Sequence, residues 1–346
     1  MPSDSFRKPD KALPTLEDVA KLAGVSTATV SRCLNSPERV IEATRIRVKN
    51  AVDELGYSPN FGARILAAKR TNTIGAIIPT MENAIFARGI QAFQEELGKH
   101  GITLLVASSS YQPDLEEEQI RTLTARGADA LLLIGHDRAP EVYDYLERRR
   151  VPYLIAWAFN EDYGALSIGF KNRDSMRLLA EQVIDLGHHR IGVISADRKF
   201  NDRARERAEG ILQAMENRGL DADAAPIIET VFSIESGGKA FQDLMALEHP
   251  PTAVMCGNDV LAVGALAMAR QIGLSVPGDV SITGFDDIEL ARITEPQITT
   301  VHVPHREMGG RAAHILAGML NGDVPRDSVQ LETNIIHRGS LGPVKK

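Results

Sequence analysis

The sequence predicts a small all-α head followed by an α/β body of two doubly wound parallel-sheet subdomains, and three observations predict it. Residues 16–55 carry apolar side chains at helical intervals only. From Thr73 onward, short apolar runs alternate with amphipathic stretches, the pattern of strands covered on both faces by helices. A chain of 346 residues is too long for one compact core, and about a dozen such units are too many for one sheet.

Residues 1–14 are polar and without periodicity and read as a disordered leader. Thr15 then opens the first helix. Asp18, three positions on, completes a capping box, with Asp in place of the usual Glu or Gln. Leu16 to Asn35, LEDVAKLAGVSTATVSRCLN, predicts two short helices joined by a tight turn. Val19, Ala20 and Ala23 form one apolar face, opposed by Val25, Val30 and Leu34. Gly24 suits a left-handed helix end, and Ser26 offers its hydroxyl as the next N-cap. Thr27, Ala28, Ser31, Arg32 and Asn35 remain outward on the second helix: short hydrogen-bonding groups, one methyl and one guanidinium. That chemistry reads base edges in a DNA major groove; the alternative is a helical hairpin whose polar face is merely solvated. A third helix, 42–55, presents Ala43, Ile46, Val48, Ala51, Val52 and Leu55 inward and stops at Gly56. Its cap position holds Ile41, which has no side-chain acceptor.

In the body, strands are expected at 74–79, 103–108, 130–135, 153–157, 191–196, 253–258 and 281–287. Helices are expected at 86–100, 114–126, 139–149, 172–187, 203–218, 235–246 and 259–272. Ligands of such open parallel sheets bind beyond the carboxyl ends of the strands.

Composition is that of an ordinary globular chain, 43% hydrophobic and 25% charged. No run approaches the roughly 18 apolar residues of a membrane span, and no apolar stretch near the N-terminus could serve as a signal peptide, so a cytoplasmic location is expected. Cys33 and Cys256 lie in different domains and read as small buried or half-buried side chains, neither a disulfide nor a metal pair. The net charge of −7 divides unevenly: residues 1–70 hold 12 Lys/Arg against 8 Asp/Glu, while the remainder is net −11. A basic head on an acidic body favours phosphate contact at one end and repels the duplex elsewhere. The motif inventory speaks against an enzyme: there is no Walker loop, GxGxxG fingerprint, HExxH or GxSxG. No metal site and no cofactor are expected, and His188–His189 reads as a solvated turn.

The ordered set LEDVAKLAGVS, TVSR, LGYSPN, ARIL, TIG, CGNDVLAVGAL, GLSVPGDVSITGFDD and EPQITTVHVP resembles the LacI/GalR family of bacterial transcriptional regulators over more than three hundred residues. The resemblance implies a helix-turn-helix DNA-binding headpiece (15–57), a hinge helix and linker (58–72) and a periplasmic-binding-protein-like core (73–346). Subdomain one would hold about 73–165 and 302–321, and subdomain two 166–301 and 322–342, with crossovers near 160–172, 299–303 and 320–326. A free solute-binding protein shares the two-lobed core, but it needs a secretion signal and does not carry residues 15–70.

The resemblance also implies partners: double-stranded operator DNA, a small-molecule effector and a second copy of the chain, with no membrane. Thr27, Ala28 and Arg32 are the base-reading candidates, Arg32 as a bidentate guanine contact. Ser26, Ser31 and Asn35 are phosphate contacts. Asn60 and Ala63 lie in the hinge, and Leu66 takes the place of the leucine that wedges into the central base step. A homodimer is expected because no leucine heptad tail follows the last strand pattern. By family position the effector contacts are Asp286 and Arg207, with Phe86, Arg203, Phe232 and Asn258 next, and Asn201, Asp202 and Trp157 beside them. Aromatic planes with fixed polar groups suit a polyol such as a sugar. Lys171, in GFKN where the family often reads GFDN, has two readings: a cleft cation selecting a sugar acid, or a solvent-facing side chain. Asp259 and Asp287 read as N-caps of the helices that follow them.

Overall fold

The structure, a computed structural model, describes residues 13–58, 70–82 and 84–345, with the side chains of Asn35 and Asp162 excepted. Two compact units divide the chain, one up to Thr71 and one from Asn72. Asn60, Ala63, Leu66 and the expected hinge helix lie outside the described residues.

Among its described residues the first unit holds three α-helices, α1 (Leu16–Ala23), α2 (Thr27–Asn35) and α3 (Glu42–Leu55). The capping box is present: Thr15 N donates to Asp18 Oδ2 at 2.8 Å and Asp18 N donates to Thr15 Oγ1 at 3.3 Å. Gly24 ends α1 in the left-handed region, φ 66°, and Ser26 caps α2 by accepting from Thr29 N. Val19, Val30 and Val48 are fully enclosed, with Ala20, Ala23 and Ala51 around them. The inner face of α3 differs from expectation. Thr44 is buried in line with Val48 and Ala51, whereas Ala43 and Ile46 face outward. Positions 44, 48, 51 and 55 share one side of the helix, and 43 and 46 fall off it. Ile41 makes no side-chain cap, as expected.

The second unit contains two parallel sheets wound to the same plan. The first runs in the order β11-β5-β4-β3-β1-β2, from β1 (Thr73–Ile78), β2 (Thr103–Ser108), β3 (Ala130–Ile134), β4 (Tyr153–Ala156), β5 (Ser167–Gly169) and β11 (Val329–Gln330). The second runs β7-β6-β8-β9, from β6 (Ile191–Ser195), β7 (Ile227–Glu229), β8 (Ala253–Cys256) and β9 (Ser281–Thr283). In each, the first strand sits between the second and the third, so the winding direction reverses beside it and opens a crevice at the carboxyl ends. In lobe one that crevice lies beyond β1 and β3; in lobe two it lies beyond β6 and β8.

The helices fall within a residue or two of expectation: α4 (Ala84–Lys99), α5 (Pro113–Ala125), α6 (Pro140–Arg149), α7 (Asn172–Asp185), α8 (Asp202–Asn217), α9 (Ile234–Met245) and α10 (Asp259–Gln271). A short α11 (Glu289–Ile293) follows β9, and α12 (His305–Asn321) returns to lobe one to pack on α4. There the two backbones touch: a Cβ on Gly309 would stand 1.9 Å from the Gly89 carbonyl oxygen.

The subdomain boundaries shift from expectation. Strands β5 and β11, expected in subdomain two, belong to the first sheet, β5 paired with β4 and β11 with β5. Lobe one therefore keeps the chain to Gly169, and the third crossover lies after β11 rather than at 320–326. Within the expected second crossover, β10 (Thr300–His302) bridges to Asp286 and pairs with β12 (Asn334–Ile336) before α12 begins. Strands of two or three residues are joined by backbone hydrogen bonds and are too short to show a period.

One smaller expectation also changes. His188 is buried, its ring bonded to Thr252 Oγ1 at 3.0 Å and the Gly342 carbonyl at 2.9 Å, because the C-terminal segment covers it. The cysteines are as expected, Cys256 buried and Cys33 half-buried, both free thiols.

Candidate functional site

On the head, α2 carries Thr27, Ala28 and Arg32 fully outward on one side, with Ser31 half-buried beside them. The Ser26 hydroxyl is exposed but serves the helix first, bonding Thr29 N at 3.2 Å and the Thr29 hydroxyl at 2.9 Å. A polar row held up by an apolar hairpin, with a guanidinium one turn in, is a surface for base edges and phosphates.

The body places its chemistry where the winding reverses. A small cavity of about 20 Å³ is lined by Ile85, Phe86, Tyr111 and Trp157 from lobe one and by Asn201, Arg203, Ala204, Arg207, Phe232, Asn258 and Asp286 from lobe two. That volume holds about one water, so the lobes stand closed. Three contacts keep them so. Asp202 Oδ2 accepts from His136 N at 2.5 Å, Arg205 binds Asp137 through two 2.8 Å bonds, and Arg88 pairs with Glu289. Gly135, at φ 73°, lets the lobes approach this closely, since a Cβ there would lie 2.4 Å from the Asp202 carboxylate.

Inside, Arg207 is fixed from four sides. Its Nε donates to Asn172 Oδ1 at 2.8 Å and its Nη1 to the Gly257 carbonyl at 2.7 Å. Its Nη2 lies 3.5 Å from Asp286, and its plane sits 3.7 Å above the Phe285 ring. Asn172 in turn donates to the Trp157 carbonyl at 3.1 Å, tying Arg207 to lobe one. Arg203 bonds the neighbouring Asp202 at 2.8 Å. Burial works to raise the Asp202 carboxyl, but Arg203 and the His136 N–H outweigh it and hold it below the ordinary value.

Among the described residues, a set of buried polar atoms in and beside the cavity has no hydrogen-bond partner: both Asp286 oxygens, Asn258 Nδ2 and His305 Nε2. Asn258 spends its oxygen on capping α10, bonding Leu261 N at 2.9 Å, so its amide N–H groups are the free end. Burial pushes the His305 imidazole below its usual range against the pull of Asp286, so it is neutral at pH 7. Its Nδ1 accepts from the Trp157 indole at 3.1 Å, which leaves the proton on Nε2, 4.0 Å from Asp286. The arrangement thus presents one acceptor pair and two donors between aromatic walls: Phe86 edge-on to Trp157 with centroids 5.3 Å apart, and Tyr111 against Phe232 at 5.6 Å.

Of the expected effector residues, the structure brings Phe86, Trp157, Asn201, Arg203, Arg207, Phe232, Asn258 and Asp286 to this cavity. Asp202 stands just behind it as an interlobe contact. Lys171 is not brought there. Its side chain is exposed, with Nζ 5.8 Å from the Phe159 centroid, and the inward residue is its neighbour Asn172. Sequence reasoning missed Asn172, Tyr111 and His305. Tyr111 follows the end of β2, a position the strand-end rule covers, whereas His305 enters only through the β10 crossover. Asp259 and Asp287 are not caps. Asn258 caps α10, while Asp259 accepts from the Thr300 hydroxyl at 2.6 Å and Ile288 N at 2.8 Å; burial drives its carboxyl well above the usual range. Asp287 takes Arg292, Arg338 and His302.

A DNA-reading head and a two-lobed ligand cleft together define a ligand-responsive regulator, and the comparisons with known proteins agree. The model of bacterial regulatory proteins of the lacI family matches residues 15–60, and that of the periplasmic binding protein-like domain matches 180–341. The HTH-type transcriptional repressor CytR of Escherichia coli (strain K12) is 34% identical over 335 residues, 96% of this chain and 98% of that protein. The Lac repressor dimer bound to operator and an anti-inducer superposes with a TM-score of 0.84 at 26% identity, over 95% of this chain and 99% of that one. The regulator CelR in complex with cellobiose gives 0.68 at 28% identity, over 94% and 99%. The chain belongs to the lacI family of bacterial regulatory proteins, with the family's helix-turn-helix DNA-binding head and effector-binding core. No helix among the described residues is long and apolar enough to cross a membrane.

Proposed function

We propose that the chain is a repressor whose affinity for its operator is set by a neutral, ring-shaped effector bearing hydroxyl or N–H groups, held between the two lobes of the core. One observation carries the reading: the Asp286 carboxylate, the Asn258 amide nitrogen and the His305 N–H are buried and have no hydrogen-bond partner among the described residues, the first two lining one aromatic-walled cavity and His305 Nε2 beside it, 4.0 Å from Asp286. Buried polar groups are costly to leave unpaired, by about 1–3 kcal/mol each, so a ligand that pairs with all three gains that difference. Charge decides the class. Arg203 stands against Asp202 and Arg207 against Asp286, two cations facing two carboxylates, and Lys171 is outside. A neutral ring therefore fits better than a sugar acid, and CelR with cellobiose is a relative holding such a ligand. The effector biases lobe closure through the Asp202–His136 and Arg205–Asp137 contacts, and closure sets operator affinity. A homodimer places one head on each half of a pseudo-palindromic site, as the dimeric Lac repressor relative suggests.

A thermal-shift screen of neutral sugars, nucleosides and purines beside sugar acids and phosphosugars tests the class. Stabilisation by a neutral compound, lost in Asp286→Asn, is the expected result. Stabilisation by the acids alone contradicts it.

A further inference from the structure

Glu96, His100 and His314 form a cluster on lobe one that neither the reading head nor the cleft uses. Each offers one ligand atom, and the three atoms lie within 4.8 Å of one another. Glu96 and His100 are one helical turn apart at the end of α4, with Oε1 and Nε2 separated by 3.6 Å. His314 comes from the middle of α12, its ring centroid 6.2 Å from that of His100. The two helices are held together independently of these side chains by the Gly89–Gly309 backbone contact, so the cluster is presented by a fixed pair of elements.

We propose that Glu96, His100 and His314 bind a divalent transition-metal ion, with Zn²⁺ as the fitting probe, and that the bound ion clamps α12 to α4. Two imidazoles and one carboxylate are a borderline-soft donor set that suits Zn²⁺ and does not suit Mg²⁺ or Ca²⁺. Donor atoms about 3.4 Å apart surround a tetrahedral zinc with bonds of about 2.1 Å. Both histidines are exposed, so small side-chain rotations bring the ligands to that spacing without disturbing packing. One competitor is present: Lys99 Nζ donates to Glu96 Oε2 at 2.6 Å and leaves Oε1 turned to His100. The clamp has a route to function, because α12 begins at His305, the residue that receives the Trp157 indole in the cleft.

The test is calorimetric titration of ZnCl₂ into the untagged, chelator-treated full-length chain. One equivalent is expected to bind, with a rise in melting temperature. His100→Ala and His314→Ala should each weaken binding by about tenfold or more, with unchanged circular dichroism. Lys99→Ala frees Glu96 and should tighten binding severalfold, a gain that misfolding cannot mimic. Absence of binding by the parent chain overturns the proposal. So does an affinity that is the same in His314→Ala and Lys99→Ala as in the parent.

Discussion

The reading head and the effector cleft solve recognition in opposite ways. On α2 the candidate side chains Thr27, Ala28 and Arg32 stand exposed on one continuous nine-residue helix, with the apolar hairpin behind them doing the folding. In the cleft the candidate side chains come from separate elements spanning Phe86 to His305, are almost wholly buried, and also hold the fold together. Arg32 is exposed and takes no part in the packing of the head. Arg207 already has Asn172, Gly257, Phe285 and Asp286 around it. A surface reader can change its target by single substitutions without repacking, whereas a buried reader couples ligand choice to stability and closure.

Substitutions can break that contrast, and the largest effect belongs to the cleft. Asp286 has a φ of 101°, which Asn tolerates far better than Ala, so Asp286→Asn is the clean change. It should weaken the effector identified by thermal shift by roughly 100-fold, about 3 kcal/mol, because a buried charged acceptor is lost; titration followed by the fluorescence of Trp157, the single tryptophan, reads it. Next, Arg32→Ala should cost about 1–3 kcal/mol on the operator and relax preference at one symmetric base position, read by binding to a panel of mutated duplexes. An equal loss on operator and random DNA makes Arg32 a phosphate contact instead.

Between function and fold lies Gly135. Gly135→Ala forces a Cβ against Asp202 and Arg203 at positive φ and should lower stability by about 1–2 kcal/mol in urea unfolding while shifting the lobes toward opening. The smallest effect concerns Glu206 on α8, whose carboxyl is pushed up to about 7 by burial and then by the neighbouring Asp202. The folded state resists its ionisation, so its contribution is fully favourable below about 4.5 and is lost as pH rises through about 7. Glu206→Gln should therefore be more stable than the parent at pH 8 by about 1 kcal/mol, with little difference at pH 5. A parent whose melting temperature rises from pH 6 to pH 8 relative to Glu206→Gln contradicts this sign.

The same contrast explains what the sequence made legible. Apolar runs marked β1 to β4, β6 and β8, the segment holding β9 was also expected, and the capping signals at Thr15, Gly24 and Ser26 set the bounds of α1 and the start of α2. Strands β5, β7, β10, β11 and β12 were not legible, since two or three residues carry no period and pair through the backbone. Within the cleft, strand-end position and family resemblance pointed to most of the residues that line the cavity. They misplaced Lys171 by a single residue: it stands at the start of α7 facing solvent, and one step of helical rotation turns Asn172 inward to Arg207. His188 and His305 were hidden for a related reason, each owing its environment to chain more than a hundred residues away or to the β10 crossover.

The separation of the two readers is the central claim, and a crossed measurement tests it most directly. Operator binding by fluorescence anisotropy, on a site selected from random duplexes, and Trp157 fluorescence on effector addition are recorded for the parent, Arg32→Ala and Asp286→Asn. The expected result is that Arg32→Ala loses operator affinity yet keeps the full Trp157 response, while Asp286→Asn keeps effector-free operator affinity and loses the response. Loss of both readouts in either variant contradicts it.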